Sequence, residues 1–179
     1  MARELTEPAS LTFRLAVAGD APEIAALHCA AADALTREFG EGRWSSRPTE
    51  GNVLRDIRTS RVIVAHDAAG LAGTLRLATK KPWAIDPKYF TPVKRPLYLH
   101  GMAVAPSRQR TGIGRRLLNE ALQIARAWPA EAVRLDAYDA AAGAGPFYAR
   151  CGFTEVGRVE YRGAPLIYFE KLVAASRTG

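Results

Sequence analysis

An apolar run, Leu97 to Ala105, leads into Gln109-Arg110-Thr111-Gly112-Ile113-Gly114, and this in turn opens an amphipathic stretch, Arg115 to Trp128. A strand that enters a glycine-bearing turn and leaves it as a helix constrains the fold more than any other feature of the chain. It demands a sheet with a helix packed on one face. At the junction the first helical amides have no partner, and the helix dipole favours negative charge there. The turn therefore reads as a phosphate cradle. The same glycines would also serve a tight turn with close packing. Neither the three glycines of a dinucleotide fingerprint nor the Gly-Lys-Ser/Thr ending of a P-loop is present.

The rest of the chain supplies the other elements of such a sheet. Leu11 to Ala16 has the pattern of a strand. Asp20-Ala21-Pro22-Glu23 then looks like a capping box with proline in the first turn. The helix it starts places Ile24, Leu27, Ala31, Ala34 and Leu35 on one face and runs to about Glu38, where Gly40 stops it. A loop follows to Pro48, and Thr49 to Thr59 forms a second, weaker helix. Arg61 to Ala65 and Leu71 to Ala78 read as an antiparallel hairpin around a turn at His66 to Gly70. The segment Thr79 to Pro96 holds four prolines, Pro82, Pro87, Pro92 and Pro96, and is expected to be a long loop of the kind that often carries function. Ile113, Leu117, Ala121, Leu122, Ala125 and Trp128 form the inner face of the helix after the cradle, which Pro129 closes. Ala132 to Tyr138 is the next strand, Gly145 to Cys151 a short helix, and Phe153 to Glu160 and Pro165 to Val173 two final strands. Residues 1–10 and 174–179 are expected to be flexible tails.

This order suits a single α/β domain over residues 1–179: a mixed, mostly antiparallel sheet with helices on both faces. Its 179 residues are enough for one core. The net charge of +7 favours anionic partners, among them a phosphorylated cofactor, nucleic acid or an acidic surface. Cys29 and Cys151 lack CxxC spacing, and His28, His66 and His100 form no zinc pattern, so no metal is expected. Met1 to Ser10 has no apolar signal core, and no apolar run approaches the roughly 18 residues of a membrane span. A cytoplasmic protein is the expectation.

The cradle sequence resembles the Gln/Arg-x-x-Gly-x-Gly/Ala signature of the GCN5-related N-acetyltransferase (GNAT) family, in which this turn holds the pyrophosphate of coenzyme A. A second stretch, Gly145-Pro146-Phe147-Tyr148-Ala149-Arg150-Cys151-Gly152-Phe153, is similar to that family's Phe-Tyr-x-x-x-Gly-Phe element, and the element order is also the family's. One departure stands out: many members carry an asparagine where this chain has Ala141.

The resemblance implies acetyl-CoA as cofactor and direct attack of an amine on its thioester in a ternary complex. It assigns the pantetheine arm to backbone groups around Met102, Ala103 and Val104. The pyrophosphate falls to Gln109, Arg110, Thr111, Gly112, Ile113, Gly114 and Arg115. Arg108 and Arg116 either add charge to the cradle or lie on a solvated helix face. The resemblance also makes Tyr148 the general acid, whereas by itself Tyr148 reads equally as a core aromatic. A tyrosine near pKa 10 protonating a thiolate near 8.5 is uphill by roughly 2 kcal/mol, so a dry site must raise the thiolate's proton affinity.

The base is less determined. His100 stands on the cradle's own strand and is a candidate, or else a satisfied core residue. Asp136 and Asp139 could bind a cationic amine, take up a proton through water, or cap a turn. Glu38, Glu41 and Trp44 are further candidates for the acceptor side. The expected acceptor is a small-molecule or peptide amine, and the expected state a monomer or homodimer. A nucleic-acid-binding module would need basic residues spread along a face, but those of Arg115 to Trp128 bunch at its start, so no nucleic-acid partner is expected. No membrane partner is expected either. A domain that only senses acyl-CoA remains the alternative within the family.

Overall fold

A computed structural model describes residues 10–173. Seven strands form one sheet in the order β1-β2-β3-β4-β5-β7-β6. They are β1 (Thr12–Leu15), β2 (Arg61–Asp67), β3 (Gly70–Ala78), β4 (Pro96–Val104), β5 (Ala132–Tyr138), β6 (Thr154–Tyr161) and β7 (Ala164–Leu172). Four α-helices accompany them: α1 (Ala21–Phe39), α2 (Glu50–Thr59), α3 (Ile113–Ala127) and α4 (Gly145–Arg150). Every neighbouring pair is antiparallel except β4 and β5, which run parallel with α3 as their crossover. Mixed and mostly antiparallel, the sheet matches the expected class.

The two faces are covered differently. On one, Leu117, Leu118, Ala121, Leu122 and Ala125 of α3 pack on Ile63, Leu75, Leu77, Leu99 and Leu135, with Tyr148 and Phe153 continuing the same core. On the other, Ala21 and Ile24 of α1 and Val53 of α2 meet Val62 and Val64 of β2. The helices α1 and α2 reach only half of that face. The proline-rich loop after β3 covers the rest: Ile85 and Phe90 are buried against Tyr98 and Tyr168. Beneath it, Arg134 and Glu170 form a buried ion pair at 3.0 Å. Glu170 accepts the Thr91 amide at 3.1 Å, and Arg134 donates to the Thr91 carbonyl at 2.6 Å. The long loop thus stands where a helix would otherwise be needed, a structural role beyond what its length and prolines announced.

Two further expectations are corrected. Asp20 does not cap α1 with its side chain. Its carboxylate instead accepts both guanidinium arms of Arg14 at 2.7 Å and the Val17 amide at 2.7 Å, tying β1 to the start of α1. These partners hold the Asp20 carboxyl at about 2, the Arg14 hydrogen bonds contributing most. The turn between β2 and β3 is also tighter than the sequence suggested, with only Ala68 and Ala69 between strand ends. The tails expected at 1–10 and 174–179 lie outside the described residues apart from Ser10. Among the described residues no helix is long and apolar enough to cross a membrane.

Candidate active site

The parallel pair β4 and β5 is hydrogen-bonded only at its start, through Pro96, Leu97 and Tyr98 against Ala132, Val133 and Arg134. Beyond Tyr98 the strands separate. Each is held from outside: β5 pairs with β7 along its whole length, and β4 with β3. A bulge assists the separation, since on β4 Gly101 and Met102 together oppose Leu75, and Gly101 has φ +53, a left-handed conformation that suits glycine. The gap is a cleft of about 380 Å³. Leu99, His100, Gly101, Met102 and Ala103 line one side and Asp136, Ala137 and Tyr138 the other. His28, Ala31, Ala32 and Leu35 of α1 with Trp44 and Ser46 close one flank, and Ala142, Ala144 and Tyr148 another.

At the far end of β4 lies the cradle. Gly112 is the residue before α3 and has φ +87, with no heavy atom within 4 Å of where a Cβ would stand. The first amide returned to the helix is that of Arg116, to the Gly112 carbonyl at 3.1 Å. The amides of Ile113, Gly114 and Arg115 are therefore left free at the helix start. The turn is braced from beneath, as Gln109 donates to the Val104 carbonyl at 3.3 Å and Thr111 to the Arg108 carbonyl at 2.6 Å. The second glycine, Gly114, lets α3 approach α4: a Cβ there would stand 3.3 Å from the Phe147 ring.

The arginines around this turn divide by partner. Arg108 is bound by Asp67 at 2.6 Å, which fastens the cradle to the β2–β3 turn and takes Arg108 out of the set available to a phosphate. Arg116 lies over the Phe13 ring at 5.7 Å, and Arg115 donates to the Arg150 carbonyl at 3.2 Å. Arg110, exposed at φ +63, makes no ion pair among the described residues.

Tyr148 is buried, with its ring packed on Phe147, Phe153 and Phe169. Its hydroxyl points to the Met102 sulfur at 3.7 Å. A thioether is a weak acceptor, so the phenolic proton stays available to a stronger one. Burial raises the Tyr148 pKa well above its ordinary 10, and the nearby Asp136 and Cys151 add to the shift. Burial likewise raises Asp136, whose carboxylate forms no ion pair among the described residues. His100 moves the other way, down to about 4, chiefly by burial and then by the charge of Arg76. It is a neutral imidazole at physiological pH.

Tyr148, His100, Met102, Ala103, Asp136 and Trp44 thus stand around one cleft, with Val104 and the Gln109–Arg115 turn at its end. Asp139 does not line the cleft: it pairs at 3.0 Å with Arg158 of β6. Glu38 is exposed near the end of α1, outside the cleft, and Glu41 lines a separate open groove with Arg43 and Tyr138. Sequence reasoning missed His28 and Tyr138. His28 sits between Ile24 and Ala32 at helical spacing on the packed face of α1, and a histidine at such a position was the available signal. Tyr138 meets Trp44 edge-to-face at 5.9 Å, and both rings line the cleft.

The family model for the acetyltransferase (GNAT) family matches residues 30–153. No curated protein matches the chain. Solved structures with the same fold include a GNAT-family acetyltransferase from Listeria monocytogenes, with TM-score 0.71 and 21% identity over 91% of this chain and 95% of that one. Another is the ribosomal-protein-alanine N-acetyltransferase of Brucella melitensis, with TM-score 0.67 and 20% identity over 90% and 99%. A third is Salmonella typhimurium yncA with its cofactor acetyl-CoA, with TM-score 0.67 and 18% identity over 94% and 96%.

Proposed function

Because the chain belongs to the GNAT acetyltransferase family, we propose that it moves an acetyl group from acetyl-CoA to a primary amine of a small molecule or peptide, by direct attack in a ternary complex. The observation that carries this reading is the free inner edge of β4, which runs from the cradle to the hydroxyl of Tyr148. The residues fit the cofactor. Three free amides and an open Gly112 suit a pyrophosphate, with Gln109, Arg110, Thr111, Ile113, Gly114 and Arg115 around it. On the edge of β4 that faces away from β3, backbone groups of Met102 and the amide of Val104 suit an amide-bearing arm, while Ala103 between them pairs with Thr74 and the Val104 carbonyl is held by Gln109. Acetyl-CoA would supply an acyl group already activated as a thioester.

The protein's own groups then do two things. Asp136, unpaired and half-buried, draws the acceptor as its ammonium and takes up a proton directly or through water. His100, neutral and on the strand across the cleft, can accept a hydrogen bond from the amine. Tyr148 gives its proton to the departing sulfur. Its raised pKa makes that transfer uphill unless the same desolvation raises the thiolate's proton affinity further, which a site walled by Phe147, Phe153 and Met102 favours. A cytoplasmic monomer or dimer accords with this reading.

Tyr148→Phe tests it. The lost hydroxyl bonds only a thioether, so CoA affinity by titration calorimetry should be unchanged, while acetyl-CoA-dependent thiol release falls by roughly 10²- to 10⁴-fold. Undiminished turnover would remove Tyr148 from the acid role.

A further inference from the structure

Behind the cleft lies a second chamber of about 190 Å³, bordered by Ile24, His28, Val53, Asp56, Arg76 and Gly101. His28 and Gly101 border the cleft as well, so the two spaces adjoin there. Arg76 stands on β3 directly opposite His100, and one arm of its guanidinium is held by the Asp56 carboxylate from α2. Its Nε and second arm have no partner among the described residues. Yet no buried side-chain nitrogen or oxygen there is without one, so these donors are accessible rather than sealed. We propose that this chamber receives a carboxylate of the acceptor on Arg76, so that the amine substrate is an amino-acid-like zwitterion with its ammonium at Asp136. This assignment of substrate class rests on the acetyltransferase reading above.

Chemistry at the two ends favours a zwitterion over a simple amine. Among the described residues Asp136 is the only acidic group lining the cleft, and it forms no ion pair, so that end attracts a cation. In the chamber the only arginine or lysine among the described lining residues is Arg76, whose planar fork matches a carboxylate through two parallel hydrogen bonds. Asp56 already neutralises part of that charge, which leaves room for a single negative charge and opposes a phosphate dianion. Ile24 and Val53 give the chamber apolar walls, so a carboxylate seated there would displace water from around Arg76 and strengthen the contact. His100 is shifted toward the neutral form by burial and Arg76, and His28 in the same direction by burial against the opposing pull of Asp56.

The test uses the purified full chain and matched acceptors: α-, β- and γ-amino acids, the corresponding carboxamides, and the decarboxylated amines. In acetyl-CoA-dependent thiol release, at least one amino acid should exceed its amide and amine in kcat/KM by roughly 10- to 100-fold. Arg76→Gln should shrink that gap to about twofold, whereas Arg76→Lys, which keeps the pair with Asp56, should keep part of it. Binding without acetyl-CoA is followed in parallel by the imidazole resonances of His28 and His100, which the preferred amino acid should displace and its amine should not. Equal turnover of acids and amines overturns the carboxylate site while leaving the acetyltransferase reading intact. Histidine displacement without turnover of any acceptor supports the site and overturns that reading. Neither displacement nor turnover overturns both.

Discussion

Gly112 offers a perturbation in which folding and binding should respond with opposite signs. At φ +87 any side chain there is strained by about 1–2 kcal/mol, with Asn and Asp at the low end. Nothing lies within 4 Å of the added Cβ, so neither residue disturbs packing. Gly112→Asp and Gly112→Asn are nearly isosteric, and they differ in one charge at the start of α3. In the free protein that charge is favourable by roughly 0.3–1 kcal/mol, because it faces the positive end of the helix dipole. Gly112→Asp should therefore be as stable as Gly112→Asn or more so. Against a bound pyrophosphate the sign reverses. Two unit charges about 5 Å apart at an effective dielectric near 20 repel by roughly 3 kcal/mol, or about 100-fold in affinity. Calorimetric titration of CoA into both variants, with urea unfolding of each, measures the two signs together. The gap in affinity should narrow in high salt. If the Asp and Asn variants bind CoA within about threefold of one another at low salt, no anion sits on this turn.

Two other outcomes follow from buried groups. Glu170→Ala strands the Arg134 guanidinium under the proline-rich loop and should destabilise the fold by roughly 3–5 kcal/mol in urea unfolding; a loss below about 1 kcal/mol would show that the pair does not hold the loop. His100 is held near 4 in the folded chain against an ordinary 6.5, so between those values the unfolded chain takes up a proton that the folded one refuses. Stability should fall as pH drops through that window, with His28 contributing in the same direction. His100→Gln should flatten the fall measured by urea unfolding between about pH 7 and about pH 4.5, and an unchanged slope would place the titrating group elsewhere.

Local patterns carried most of the element map. The period of Leu117, Ala121, Leu122 and Ala125 and the glycines at 112 and 114 are sequence-local, and the structure forms a helix and a turn where they stand. Pairing across distance was not legible. Nothing near Asp139 announces Arg158, and nothing near Asp67 announces that Arg108 will be drawn from the cradle to meet it. Both are contacts between charged residues far apart in sequence, and a charged residue in a loop has many partners open to it. The Asp56–Arg76 pair joins a helix to a strand in the same way. The burial of the proline-rich loop was not legible for a different reason. Its prolines exclude regular structure but say nothing about burial, and Ile85 and Phe90 were the residues that could have indicated it.

The one parallel pairing in the sheet explains why the site lies where it does. Antiparallel neighbours can be joined by a short turn, but β4 and β5 run the same way, so the chain must leave the end of β4 and return through a helix. That obligatory crossover is α3, and its free amides necessarily begin where β4 ends. Once β5 is fully paired with β7 and β4 is bent by the bulge at Gly101, the inner edges of both strands lose their partners. Each forfeited backbone hydrogen bond is worth a net ~0.5–1.5 kcal/mol, and more if its groups are kept from water. Such an edge is stable only if water or a ligand satisfies it. The cradle and the open edge are thus one consequence of a single topological choice, and a linear ligand with a phosphorylated end and an amide-bearing arm is complementary to both at once.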